Sequence, residues 1–352
     1  MINRWNMWMP RQAIGALLAV FLMLPAGMSL ASPLIYVSLE EGGEVVAVDP
    51  ERGEVVTRIP VGKRPRGLKL APGGKLLYVA LSGSPRGGPG VDESTLPPPD
   101  RSADGVGVID LPTHKLLRTL PSGPDPESFD LSRDGKRLYI SNEDTAEMSV
   151  LDLQARKVVK RVAVGKEPEG VTLSPDGKVV YVTAEQDNQV FAIDTRKLVV
   201  LARIEAGARP RAIVFTKDGA AAFVTNENAG TVTVIDVAKN SVERTIKIEP
   251  KAKTALGPRP MGAALSPDGR QIFISNGRGE SVAAIDVATR TVTQLIDGVG
   301  ARPWGIATSA DGKRLYTANG PSNDVSIVDV ASGKIEKRVK VGGLPWGLVV
   351  KP

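Results

Sequence analysis

The sequence predicts an all-β fold, a seven-bladed β-propeller of four-stranded antiparallel blades. Three landmarks predict it, each found seven times and in step. A tripeptide ending in Asp recurs at Asp49, Asp110, Asp152, Asp194, Asp236, Asp286 and Asp329. An aromatic recurs at Tyr36, Tyr78, Tyr139, Tyr181, Phe223, Phe273 and Tyr316, and every Tyr of the chain is among them. A Gly-x-x-Pro recurs from Gly62/Pro65 to Gly342/Pro345. From Asp110 to Asp236 the repeat is 42 residues, the size of one propeller blade.

Within a unit the strands follow from local chemistry. After the Pro comes a short apolar stretch such as Gly170-Val171-Thr172-Leu173, then a turn, Ser174-Pro175-Asp176-Gly177. Pro presets φ, Asp tolerates the bridge conformation and Gly takes positive φ. Val180–Thr183, Val190–Asp194 and Leu198–Ile204 make the next three strands; they are short, β-branched and bounded by turns. No later stretch has sustained helical periodicity. The two ends are complementary. The chain stops after a first strand, Gly347–Val350, and the repeats open on a second strand, Leu34–Ser38. One blade is therefore shared between the termini, which removes free sheet edges. An open solenoid would need capping repeats, and none is visible.

Residues 1–31 read as a signal peptide. Arg4 and Arg11 precede an apolar run, Ala13–Leu24, that Pro25 and Gly27 break, and Ser29-Leu30-Ala31 offers a cleavage site. The rest, 32–352, is one propeller. The expected location is periplasmic or extracellular, with no membrane insertion after cleavage. An uncleaved anchor is the alternative.

Composition excludes several chemistries. Cys is 0 and His is 1, so disulfides, thiolate metal sites, c-type haem attachment and cysteine nucleophiles are absent, and a His-dependent triad would need His114. His114, in a turn at the opposite end of blade 2, is expected to be exposed and inert. The net charge of +6 is spread along the chain, unlike the basic stripe of a nucleic-acid binder. The seven repeated Asp residues are expected to accept backbone N–H bonds from the following turn, and the aromatics to pack between blades.

Two units depart from the repeat. Blade 2 carries an insert within 82–104, rich in Gly and Pro and expected to be mobile, and extra residues separate Asp236 from Pro260. Both loop types leave an antiparallel blade at the same end, which marks a working face. The residues beside each Gly-x-x-Pro proline should ring the channel mouth on that face. They give an Arg arc, Arg64, Arg66, Arg209, Arg211, Arg259 and Arg302, carboxylates including Glu127 and Glu169, and the aromatic pair Trp304 and Trp346. Arginines beside tryptophan faces suit a small anionic, planar ligand or a protein partner. The same residues could instead form mutually neutralising ion pairs that lock the blades.

The strings Tyr36-Val37-Ser38-Leu39, Tyr139-Ile140-Ser141-Asn142, Phe223-Val224-Thr225-Asn226 and Phe273-Ile274-Ser275-Asn276 resemble the YVTN-repeat β-propellers. Residues 119–127 (TLPSGPDPE), 164–170 (VGKEPEG) and 341–347 (VGGLPWG) are similar to the PQQ-dependent catabolism-associated β-propeller family. That resemblance implies a periplasmic, non-enzymatic binding or adaptor propeller linked to PQQ-dependent alcohol catabolism and an ABC-type transport system. It implies no required cofactor, with pyrroloquinoline quinone or another anionic quinone as a possible ligand. The expectation is therefore a monomer with no catalytic residues and no metal. Two alternatives stay open: a quinone-binding redox accessory protein, and a lactonase-like hydrolase using carboxylates and amides among Asp125, Glu127, Glu167, Glu169, Asn142 and Asn226.

Overall fold

The computed structural model describes residues 1–2, 33–87, 91–249 and 257–352. The signal-peptide reading of 1–31 lies outside the described residues apart from Met1 and Ile2, as do most of the extra residues between Asp236 and Pro260.

Seven four-stranded antiparallel sheets form the blades. Each inner strand begins at the proline of the repeat: Pro65, Pro126, Pro168, Pro210, Pro260, Pro303 and Pro345. Proline tolerates the first strand position because its missing N–H is not needed there. Six blades take four consecutive strands, as Pro168–Leu173, Val179–Ala184, Gln189–Asp194 and Val200–Glu205 do in blade 4. The shared blade is as expected. Pro345–Lys351 is its inner strand and pairs with Leu34–Leu39, with Tyr36 opposite Val349.

The second and third strands are covered on both faces, and the blade-to-blade seams form the core. Tyr36 lies buried among Val45, Ala47, Leu77 and Val79, which belong to blades 1 and 2. Each of the seven repeated aromatics is buried in this manner, and such burial contributes about 1.5–3 kcal/mol per large side chain. The outermost strands alternate exposed and half-buried residues. They carry Arg58, Arg118, Lys160, Arg203, Arg244 and Lys337, charges that discourage pairing of these open edges with another chain.

All seven repeated Asp residues cap the next turn. Asp194 Oδ1 accepts from the N–H groups of Arg196 at 2.8 Å and Lys197 at 2.6 Å, and the other six make equivalent bonds. His114 departs from expectation. It is half-buried, and its Nε2 lies 3.3 Å from the Tyr36 hydroxyl of the neighbouring blade.

Candidate functional site

The hydroxyl of the Tyr-x-Ser/Thr repeat positions the channel mouth. Thr183 Oγ1 accepts from Gly170 N–H at 2.8 Å and donates to the carbonyl of Arg211 in the next blade at 2.9 Å. Ser38, Ser141, Thr225 and Ser275 make the same clip to Arg66, Glu169, Met261 and Trp304. In these five of the seven blades the residue after the proline is thus held by the blade before it; Ala80 and Ala318 stand at the other two positions and have no hydroxyl to offer. The residue before each proline is also unusual. Arg64, Asp125, Glu167, Arg209, Arg259, Arg302 and Leu344 all have φ between 40° and 60°. That left-handed conformation costs a side-chain-bearing residue roughly 1–2 kcal/mol, yet no blade uses Gly there.

All ten predicted site residues, Arg64, Arg66, Glu127, Glu169, Arg209, Arg211, Arg259, Arg302, Trp304 and Trp346, line one cavity of about 1420 Å³. The blade-2 insert completes its wall with Leu96 and Pro97–Pro99. Insert and scaffold are joined by Arg64 Nη1 donating to Ser84 O at 2.8 Å, by Ser84 Oγ donating to Asp144 at 3.1 Å, and by the Arg101–Asp144 ion pair. Arg259, at the end of the blade 5–6 connection, borders the same cavity.

The charge arrangement differs from a free Arg arc. Arg66 is 3% exposed and is enclosed by Asp125 and Glu127, with Glu143 at 3.8 Å. Arg211 pairs with Glu169 at 3.2 Å and with Glu185 and Glu227. Arg209 reaches Glu185 at 2.8 Å and Glu227 at 3.3 Å. Arg64 pairs with Glu40 at 3.0 Å, and Arg259 bonds to Asn228. Four of the six arginines are therefore locked to carboxylates. Glu40, Glu143, Glu185 and Glu227 were missed in the sequence. Each directly follows a second strand, so a repeat-by-repeat reading of that position would have found them. Asn142 and Asn226 do not reach the cavity: both are fully buried and bond to Ser149, and to Thr231 and Thr233.

Six carboxyl groups, Asp125, Glu127, Glu143, Glu169, Glu185 and Glu227, share three guanidiniums, Arg66, Arg209 and Arg211. Three of them, Glu143, Glu169 and Glu185, are raised. Burial pushes the Glu143 carboxyl up; Arg66 opposes this and Asp125 adds to it. Burial likewise raises Glu169 against the pull of Arg211. Burial pushes Glu185 up to about 8 despite Arg211. For Asp125, burial is outweighed by Arg66 and the Ser82 hydroxyl, which hold it below its ordinary value. Asp125, Glu127 and Glu143 bring one carboxylate oxygen each within 4.8 Å of one another, a spacing open to a cation; the Arg66 guanidinium already sits among them.

The other half of the mouth is apolar. Met261, Trp304 and Leu344 pack together with Trp346 beside them. The two indoles lie 6.4 Å apart with planes inclined by 46°, and the Arg302 guanidinium lies 5.0 Å from the Trp304 ring centre.

Two family models match the sequence: "Lactonase, 7-bladed beta-propeller" over residues 190–351 and "YNCE-like beta-propeller" over 92–175. No curated protein matches. Among solved structures, the chain is similar to hydrazine synthase of Kuenenia stuttgartiensis (21% identity, 80% of this chain and 88% of that one, TM-score 0.64). It is also similar to candidate 6-phosphogluconolactonases of Bacteroides uniformis (19%, 91% and 100%, TM-score 0.71) and Bacteroides fragilis (20%, 92% and 99%, TM-score 0.71). At these identities the structures speak for the fold. The lactonase family match corrects the expectation of a non-enzymatic protein and points to a hydrolase. That expectation rested on the family resemblance and on the lack of a recognisable catalytic constellation, and it did not weigh Glu143 and Glu185, whose carboxyls burial raises. The matches support a β-propeller family without supporting the PQQ-associated subfamily. The chain is a seven-bladed β-propeller, similar over residues 190–351 to the lactonase family.

Proposed function

We propose that the chain is a lactonase-like hydrolase that opens cyclic esters at the channel mouth. The observation that carries this reading is the half-buried carboxyl Glu143 on the cavity wall, set among Asp125, Glu127 and Arg66. The lactonase match supports the same reading. Opening a lactone requires a base for the attacking water, positive charge for the developing oxyanion and an acid for the leaving ring oxygen. Glu143 suits both proton transfers. Its side chain is 31% exposed, Arg66 is 3.8 Å away, and its carboxyl is raised. In its ionised form it takes a proton from water as the water oxygen bonds to the carbonyl carbon. It then returns that proton to the ring oxygen as the C–O bond breaks, leaving a hydroxy acid. Arg66 and Arg211, whose charges act on Glu143, supply the positive field. Export by residues 1–31, with the mature propeller working as a monomer outside the cytoplasm, belongs to this proposal.

The test is proton release at constant pH from a panel of γ- and δ-lactones. Glu143→Gln should lower kcat/KM by roughly 10²–10⁴-fold with unchanged unfolding. Lactones that open no faster than in buffer, or a Gln variant as active as the native chain, would overturn it.

A further inference from the structure

One corner of the cavity is positively charged. Arg302 and Arg278 both line it and are half-buried, and among the described residues neither has a carboxylate at ion-pair distance. Arg302 Nε and Trp304 Nε1 are buried without an acceptor, although Trp304 itself is only 8% exposed. Buried donors normally find partners, and two neighbouring cations in a partly dry cavity repel each other. Burial, opposed by Glu227 and reinforced by Arg211, Arg278 and Arg209, holds the Arg302 guanidinium below its usual value. The corner therefore has a strong preference for a negative group. The strained φ of 50° at Arg302 keeps that side chain where a glycine would relax the backbone.

Directly beside it the surface changes character. Trp304 and Trp346 line both the cavity and a narrower throat of about 220 Å³. Met261, Ile306 and Leu348 form other walls of the throat, with Glu169 and Arg211 as its polar side. The throat has room for one flat ring and no more than a small substituent. Inclined indole faces receive such a ring by offset stacking.

We propose that this corner binds a monocyclic aromatic carboxylate, with its ring against Trp304 and Trp346 in the throat and its carboxylate on Arg302 and Arg278. As an account of what the hydrolase takes, it rests on the hydrolase reading: the substrate would be a lactone carrying such an acid group. As a binding site it stands without turnover, and the experiment measures binding alone.

The chain has four Trp residues. With Trp5→Phe and Trp8→Phe, all indole emission comes from Trp304 and Trp346, so fluorescence reports on this corner. Titration with benzoate should quench it saturably. Benzamide, which lacks the charge, inorganic phosphate, which lacks the ring, and cyclohexanecarboxylate, which lacks the flat face, should each bind at least tenfold more weakly. Arg302→Gln should weaken benzoate at least tenfold and Arg302→Lys less. Arg278→Gln, in a turn outside the strands, tests the same charge if the Arg302 variant fails to fold. Benzamide binding as well as benzoate would remove the anion subsite. Phosphate or cyclohexanecarboxylate binding as well as benzoate would remove the aromatic subsite. Unchanged benzoate affinity in both arginine variants that fold would overturn the assignment.

Discussion

Replacing Glu185 by Gln should flatten a pH dependence of stability that the native chain shows. Glu185 is 3% exposed, lies 2.8 Å from Arg209 Nε and bonds to Arg211. Its carboxyl is pushed up from the ordinary 4.5 to about 8. A carboxyl raised on folding binds a proton in the native state that the unfolded chain has already released. Stability from this group is therefore greatest below the unfolded value and falls as pH rises through the folded one. At about 1.4 kcal/mol for each pH unit crossed, the native chain should lose on the order of 4 kcal/mol between pH 4.5 and 8. Glu143 and Glu169 are raised by the same burial, so the proton belongs partly to the cluster and the slope is an upper value. Gln keeps an acceptor for Arg211 and carries no proton to lose. Urea unfolding at pH 5, 6, 7 and 8 measures the midpoints of both chains. The native midpoint should fall with pH and the variant's should stay nearly level, making the variant the more stable chain at pH 8. A native midpoint that stays constant or rises over this window would refute the account of a carboxyl excess. An equal slope in both chains would remove Glu185 as its seat.

Deleting 345–352 removes the inner strand of the shared blade and bares the Leu34–Leu39 edge; aggregation or loss of cooperative unfolding is expected, and an unchanged monomeric melting curve would contradict closure by that strand. Replacing 84–102 by a short Gly/Ser link should leave the melting temperature within a few degrees, since six blades connect the same strands without an insert, but should weaken lactone turnover by removing the Leu96–Pro99 wall. Arg302→Gly should relieve the backbone at φ 50° and stabilise the fold by about 1 kcal/mol while abolishing benzoate quenching; a lower melting temperature would show that the arginine holds the blades together.

Sequence alone determined the blade count, the shared blade and which residues ring the channel mouth. Each rests on a landmark repeated seven times, and repetition averages out local accidents. Pro65 and its six equivalents start inner strands because a missing N–H and a preset φ are local properties. Asp194 and its equivalents cap turns two or three residues away, which is also local. The ring of mouth residues was readable for the same reason, since position in the repeat sets position on the face. The partners were not readable. Arg66 and Arg211 belong to an arc when listed by blade, yet Glu143, Glu185 and Glu227 enclose them from strand ends sixteen or more residues away in the chain. Which arginine is neutralised and which is left bare depends on distances across blade boundaries. The upward shift of the Glu143 and Glu185 carboxyls depends on burial that only closure of the ring creates. Tertiary structure therefore decided what the composition could not: that a chain without cysteine and with a single histidine buries a carboxyl, Glu185, pushed up to about 8, and that Arg302 faces Trp304 and Trp346 with no carboxylate at ion-pair distance among the described residues.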